Sequence, residues 1–332
     1  MNNVKVLDCT LRDGGYINNW NFGFDEARSI TETVNLSGVD YVEVGFIGPH
    51  TDINGIVRFS CIEELVKVFL PSQAKLSAMV YAEGYPCSAF PMRSEKTIDM
   101  IRVIFWKRNL DEGVDYVKTL VEKGYEVGVQ LARTDQYDLS EIGEIVKMFN
   151  DIHPTAVYLV DSFGTFNVEK MMQYAEIYDA VLADDILLGF HAHNNMQQAF
   201  TNSVALCERE WKHDLILDGS VMGMGRGAGN LNIELILNYL NLKFKKEYNL
   251  TPIVEVADRF IAKYMSVCPW GYSIPYFLSA ITGRNPSFVN YMLEKDVSAI
   301  DMEKIFKQML VEDDGIRFDT ELCDRLISQI CK

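Results

Sequence analysis

The chain has 332 residues, 48% hydrophobic and 23% charged, enough apolar side chains for one large domain or two smaller ones. Its formal net charge of −16 argues against general nucleic-acid binding, which relies on Lys and Arg to neutralise phosphates. No apolar run is long enough to span a bilayer, Met1–Lys5 carries no signal-peptide pattern, and seven scattered cysteines without a Cys-x-x-Cys pair fit reduced thiols in a cytoplasmic protein.

Short β-branched runs alternate with helix-like segments. In chain order the expected strands are Val4–Cys9, Tyr41–Phe46, Leu76–Val80, Ile101–Phe105, Glu126–Leu131, Ala156–Asp161, Leu187–His193 and Leu215–Val221. Asp25–Leu36 reads as an amphipathic helix with Ala27, Ile30 and Val34 on one face and Gly38 beyond its end. Leu110–Glu122 reads as another, stopping at Gly124. This repetition predicts an α/β fold, a (β/α)8 TIM barrel with a C-terminal helical extension. An open doubly wound sheet is the competing arrangement, but no Gly-rich dinucleotide turn follows the first strand. The pattern changes near Leu242, so residues 1–242 are expected to form the barrel and 243–332 a helical region. Thr251-Pro252 reads as a cap followed by proline in the first helical turn.

In such a barrel the chemistry sits at the C-terminal strand ends. His191 and His193 close the seventh strand one pleat apart, so both imidazoles project the same way and can reach one divalent ion. They are two of only five histidines; His153 and His213 precede strands and fall at the opposite end, while His50 follows the second strand. After the first strand, Asp13 is a further candidate ligand, and Arg12 beside it offers a cationic fork for a carboxylate or enolate. After the eighth strand, Gly223–Asn230 forms a glycine-rich loop in which Asn230 could supply a neutral oxygen ligand. Read alone, each element has a bland alternative as a turn or a core imidazole. Glu43, Arg102, Gln130, Asp161 and Thr165 are inward-facing polar positions, open to substrate-binding or scaffold roles.

Together, Asp8-Cys-Thr-Leu-Arg-Asp13-Gly, His191-Ala-His-Asn194 and Gly225-Arg-Gly-Ala-Gly-Asn230 resemble the motifs of the DRE-TIM metallolyase superfamily, in the same order across the barrel. The resemblance implies a divalent metal held by Asp13, His191, His193 and Asn230, with Mn²⁺ or Mg²⁺ expected and Co²⁺ or Zn²⁺ as alternatives. It also implies Arg12 as enolate stabiliser; Glu43, Gln130, Asp161, Thr165 and Arg226, polar residues of the same mouth, are substrate-binding candidates beside it. Members make or break a carbon–carbon bond beside a carbonyl, the metal acting as a Lewis acid on a 2-oxo acid.

The Gly-x-Gly-Ala-Gly-Asn loop looks most like the 4-hydroxy-2-oxovalerate aldolase branch. This implies a metal-dependent aldolase or lyase joining or splitting a pyruvate-type enolate and an unidentified aldehyde. Where that branch carries a histidine base, this chain has Tyr16, a far weaker base at neutral pH. His50 is the substitute expectation, and Tyr272 and Tyr276 resemble the tyrosine-bearing entry to the aldolase's C-terminal region. Residues 16–23 (with Asn18, Asn19 and Trp20) and 48–55 are candidate specificity loops. Two rivals remain: a Claisen-type acyl-CoA lyase or synthase, and a non-catalytic metal-binding barrel with a regulatory or assembly role. The expected partners are the small 2-oxo acid and aldehyde, with neither nucleic acid nor membrane, and a homodimer is expected from the helical appendage.

Overall fold

In the computed structural model, which describes residues 3–49, 55–70, 73–312 and 315–331, the strands form one closed parallel barrel. The barrel strands are β1 Val4–Asp8, β2 Tyr41–Ile47, β3 Lys75–Tyr81, β4 Met100–Phe105, β5 Glu126–Leu131, β6 Ala156–Asp161, β7 Leu187–Ala192 and β8 Leu215–Gly219. Each pairs with its sequence neighbour, and β1 pairs with both β2 (Leu7 opposite Tyr41) and β8 (Val4 opposite Leu215), which closes the ring. A two-residue strand, Arg58–Phe59, adds to β2 outside the barrel.

The strands are buried on both faces, which is why they read as continuous apolar runs rather than alternating ones. Helix Phe24–Asn35 turns Ala27, Ile30 and Val34 onto the barrel and carries Asp25 and Glu26 in its first turn, where the helix dipole favours negative charge. Helix Leu110–Glu122 buries Tyr116, Val117 and Leu120 in the same way. At the N-terminal end of the barrel, Tyr41, Met100, Tyr158 and Ile216 belong to an inner apolar layer. Gly189, opposite Tyr158 on β7, leaves room for that ring; a Cβ there would overlap it.

The region after the barrel is helical, as expected, but the change of core comes later than residue 242. Ile253, Val256, Ile261 and Trp270 pack into the main core, and a second cluster built on Leu278, Phe288, Met302, Phe306 and Leu326 follows. Thr251 is the first residue of its helix rather than the cap, with Pro252 in the first turn. Among the described residues, no helix is long and apolar enough to cross a membrane.

Candidate metal and substrate site

At the C-terminal end of the barrel, ligand atoms of Asp13, His191 and His193 all lie within 4.8 Å of one another, and all three residues are buried. His191 stands on β7 and His193 follows it, their rings 5.2 Å apart; His193 forms an antiparallel bridge with Asn230. Asp13 sits on the turn after β1, where its N–H donates to the Cys9 carbonyl at 2.8 Å. Gly225 passes close above; a Cβ there would meet Asn230 Nδ2 and Asp13 Oδ2.

Hydrogen bonds fix which atoms face the common point. His193 Nδ1 donates to the Arg226 carbonyl at 3.1 Å, and since a carbonyl only accepts, Nε2 carries the lone pair. His191 Nδ1 donates to Asp218 Oδ2 at 2.8 Å. Burial works against ionised Asp218, but Arg102 and His191 outweigh it and hold the carboxyl below its usual range, so it too only accepts. Burial pushes the His193 imidazolium down to about 3, leaving a neutral ring. Burial also opposes ionised Asp13, yet Arg12 and the two histidines overcome it and hold the carboxyl well below the usual carboxylate range.

Two acceptors here have no partner: Asp13 Oδ2 and Asn230 Oδ1 are buried and unbonded. Asn230 Nδ2 is satisfied by the Met224 carbonyl at 3.3 Å and Cys9 Sγ at 3.7 Å, which leaves Oδ1 as the amide atom without a partner. Orphaned buried acceptors cost stability unless something completes them. Two imidazole nitrogens with one anionic and one neutral oxygen suit a divalent cation. The donor set therefore fits a divalent metal.

A ring of charges supports the cluster. Arg12 Nη1 bonds Asp13 Oδ1 and its Nε bonds Glu43 Oε2, each at 2.7 Å. Glu43 Oε2 also takes Arg102 Nη1 at 2.8 Å, and Arg102 Nη2 reaches Asp218, which holds His191. With its amide oxygen turned to Arg102, Gln130 accepts from Nε at 3.2 Å and Nη2 at 2.8 Å. Trp20 Nε1 donates to the Arg12 carbonyl at 2.7 Å, so Trp20 is part of this frame rather than an open specificity loop. Arg12 Nη2 is the one guanidinium nitrogen of that side chain left buried without a partner.

Beside the cluster lies a cavity of about 710 Å³ lined by Tyr16, Tyr81, Trp106, Arg133, Phe163 and Arg226, among others. The Tyr16 and Tyr81 hydroxyls are 3.1 Å apart. Burial and Tyr16 push the Tyr81 phenol well above its ordinary value, so it stays protonated. Tyr81 stacks between Phe46 and Trp106, at 5.4 and 5.6 Å. Arg226 Nη2 crosses from the glycine-rich loop to Asn285 Oδ1 at 2.5 Å and Ser287 Oγ at 3.1 Å, so residues after the barrel build part of the wall.

Other expected site residues lie elsewhere. Asp161 receives the N–H groups of Thr165 (2.7 Å) and Phe166 (3.0 Å), so both of its oxygens serve the local loop. Burial raises its carboxyl to about 7, and those bonds only partly counter it. Glu43 and Gln130 are engaged in the charge ring. Tyr276 donates to Asn290 Oδ1 at 2.5 Å and Tyr272 is half exposed; neither lines the cavity. His50 and residues 51–54 of the second loop lie outside the described residues. His153 pairs with Asp185 at the surface, and His213 donates into the Ile186 carbonyl, both away from the cluster. Asp218 is the functional position that sequence reading missed; its signal is a lone carboxylate inside the apolar run Leu215–Gly219.

Known proteins are similar to this chain. The chain is 29% identical to oxaloacetate decarboxylase of Mycobacterium tuberculosis over 249 residues, 70% of this chain and 68% of that protein. It is 25% identical to 4-hydroxy-2-oxovalerate aldolase of Bacillus cereus over 271 residues, 80% of this chain and 77% of that one. The crystal structure of an N-terminal domain from Bacteroides vulgatus, described as that of an aldolase, superposes with a TM-score of 0.74 at 26% identity, over 87% of this chain and 96% of that chain. Residues 3–260 match the HMGL-like family across the whole barrel and its metal-fitting cluster, and the chain belongs to that family.

Proposed function

We propose that this protein is a divalent-metal-dependent carbon–carbon lyase acting on a 2-oxo acid, with Asp13, His191, His193 and Asn230 as ligands and Mn²⁺ or Mg²⁺ as the ion. The observation that carries the reading is the pair of orphaned acceptors, Asp13 Oδ2 and Asn230 Oδ1, beside a guanidinium nitrogen that also lacks a partner. A divalent ion held there supplies Lewis-acid polarisation of the 2-oxo acid carbonyl.

The remaining work falls to the chain. Arg12, locked by Asp13 and Glu43, has Nη2 free to donate to oxygen that gains charge as the bond breaks. Its geometry is set before substrate arrives, because Glu43 is itself clamped by Arg102. Tyr16, which lines the cavity beside the cluster, acts as the acid that delivers a proton to the enolate carbon. Tyr81 is the adjoining phenol through which that proton is replaced. Aldol cleavage into a pyruvate-type enolate and an aldehyde is the first reading; the proton the carbinol loses would pass to cavity water, and the enolate carbon would take one from Tyr16.

A second reading, decarboxylation of a 3-carboxylated 2-oxo acid, is favoured by one observation. Among the described residues lining the cavity there is no histidine, aspartate or glutamate to take a proton from a carbinol. Loss of carbon dioxide needs no such base, only a donor to the enolate. The Mycobacterium tuberculosis relative, named for oxaloacetate, supports this reading as well.

The test is deuterium exchange. Pyruvate in D₂O with the protein and Mn²⁺ or Mg²⁺ should lose its methyl proton signal, and Asp13→Asn should abolish the loss. Absence of metal-dependent exchange with pyruvate and every other 2-oxo acid tried would sink the lyase reading. Release of carbon dioxide from oxaloacetate separates the two branches.

A further inference from the structure

The cavity beside the metal cluster carries a charge pattern at odds with the rest of the molecule. The protein is strongly acidic, yet five cations, Lys107, Arg108, Arg133, Arg226 and Arg317, line this one space, and among the described residues no carboxylate does. Three of the five have partners behind the wall: Lys107 with Glu141, Arg108 with Glu83, and Arg133 with Asp135. Among the described residues Arg226 bonds only the neutral Asn285 and Ser287, so within that set Arg226 and Arg317 leave a formal surplus of two positive charges.

Arg133 shows that the pattern is built rather than incidental. It is only 6% exposed, and Asp135 takes its Nε and Nη2 at 2.7 and 2.9 Å. Its Nη1 is buried with no partner. The backbone is left-handed (φ 57°, ψ 56°), a region that residues with a Cβ seldom adopt, and its N–H donates to Ser162 Oγ at 2.9 Å. The guanidinium lies over the Phe163 ring at 4.1 Å, which fixes its plane. That nitrogen has no surface open to the cavity, so Arg133 acts on an occupant through the charge it holds in the wall.

We infer that the cavity is the subsite for the second substrate, and that this substrate is an aldehyde bearing a phosphate monoester. The inference rests on the lyase reading and names the class of its electrophile. A phosphate monoester carries about −1.5 to −2 charge at neutral pH, matching the surplus of two; a monocarboxylate would leave one cation unanswered. The volume, about 710 Å³, is in the range that holds drug-sized ligands, roughly 300–1,000 Å³, far more than a three-carbon acid requires. Arg226 ties the subsite to the metal cluster, since its carbonyl accepts from His193 while its side chain lines the cavity.

Calorimetric titration of the metal-loaded protein with glycerol 3-phosphate, glycerate and coenzyme A tests this. Glycerol 3-phosphate should bind about tenfold or more tightly than glycerate, as charge-assisted bonds to a dianion require. Arg133→Gln and Arg317→Gln should each weaken it roughly tenfold. Arg317 is exposed, so its replacement does not threaten folding. Equal binding of glycerate, indifference to both substitutions, or tighter binding of coenzyme A would overturn the assignment. The outcomes separate from the lyase reading: pyruvate exchange without glycerol 3-phosphate binding defeats only the subsite. Glycerol 3-phosphate binding without exchange leaves an anion site but defeats the lyase reading, and with it the assignment of that anion as its electrophile.

Discussion

Asp218 accepts His191 Nδ1 at 2.8 Å on the same oxygen, Oδ2, that receives Arg102 Nη2. One carboxylate oxygen thus orients a metal ligand and anchors the charge ring beneath it. Asp218→Asn should weaken metal binding about 10–100-fold, the usual effect of losing a carboxylate behind a ligating imidazole. It should also cost roughly 3–5 kcal/mol of stability, because Arg102 keeps a buried charge with Glu43 as its only remaining carboxylate. Metal titration and urea denaturation measure the two effects; unchanged affinity would remove Asp218 from the site.

Tyr16→Phe should slow pyruvate exchange by roughly 10²-fold or more, the scale of a positioned proton donor, with metal affinity unchanged. Tyr81→Phe should have a smaller effect, since Tyr81 acts through Tyr16. An exchange rate equal to wild type in Tyr16→Phe would reassign the donor.

Asp8 offers a pH signature. Burial raises its carboxyl to about 7, even though Thr10 Oγ1 donates to it at 2.6 Å. The folded state therefore holds the proton more tightly than the unfolded chain, whose value is near 3.9. Its stabilising contribution is complete below that value and is lost as pH rises through about 7. Wild type should lose roughly 2–3 kcal/mol relative to Asp8→Asn between about pH 5 and pH 8. Urea midpoints of both proteins across that range measure it, and parallel curves would refute it.

Metal should also act on stability. A ligand that binds only the folded state adds about 2.7 kcal/mol at a hundredfold excess over its dissociation constant. A chelator should lower the melting temperature of wild type and leave Asp13→Asn unmoved. Equal shifts in both would place the ion elsewhere.

The motif residues were legible in sequence because the barrel brings strand ends together whatever the details of its packing. Asp13, His191, His193 and Asn230 each sit at or just beyond such an end. The charge ring was less legible. Arg102 and Asp218 are 116 positions apart, and only barrel closure and register bring them together. Glu43 and Gln130 could be seen to face inward, but their bonds to Arg12 and Arg102 depend on side-chain reach. Strand and helix limits mostly agreed to within a residue or two, the periodicity being strong. The late change of core was hidden because the helices around Ile253–Trp270 are amphipathic toward the barrel itself. The cavity wall at Asn285 and Arg317 has no local signal, since it exists only by docking.

Tyr158 lies across the barrel with Arg102 over its ring at 4.6 Å, and Gly189 opposite gives it space. The metal cluster thus has a floor of packed side chains, and the described cavity lies on its C-terminal side. On the proposed aldol reading, a 2-oxo acid held at the cluster would lie beneath whatever fills that cavity, and product-inhibition patterns would show whether it binds first and leaves last.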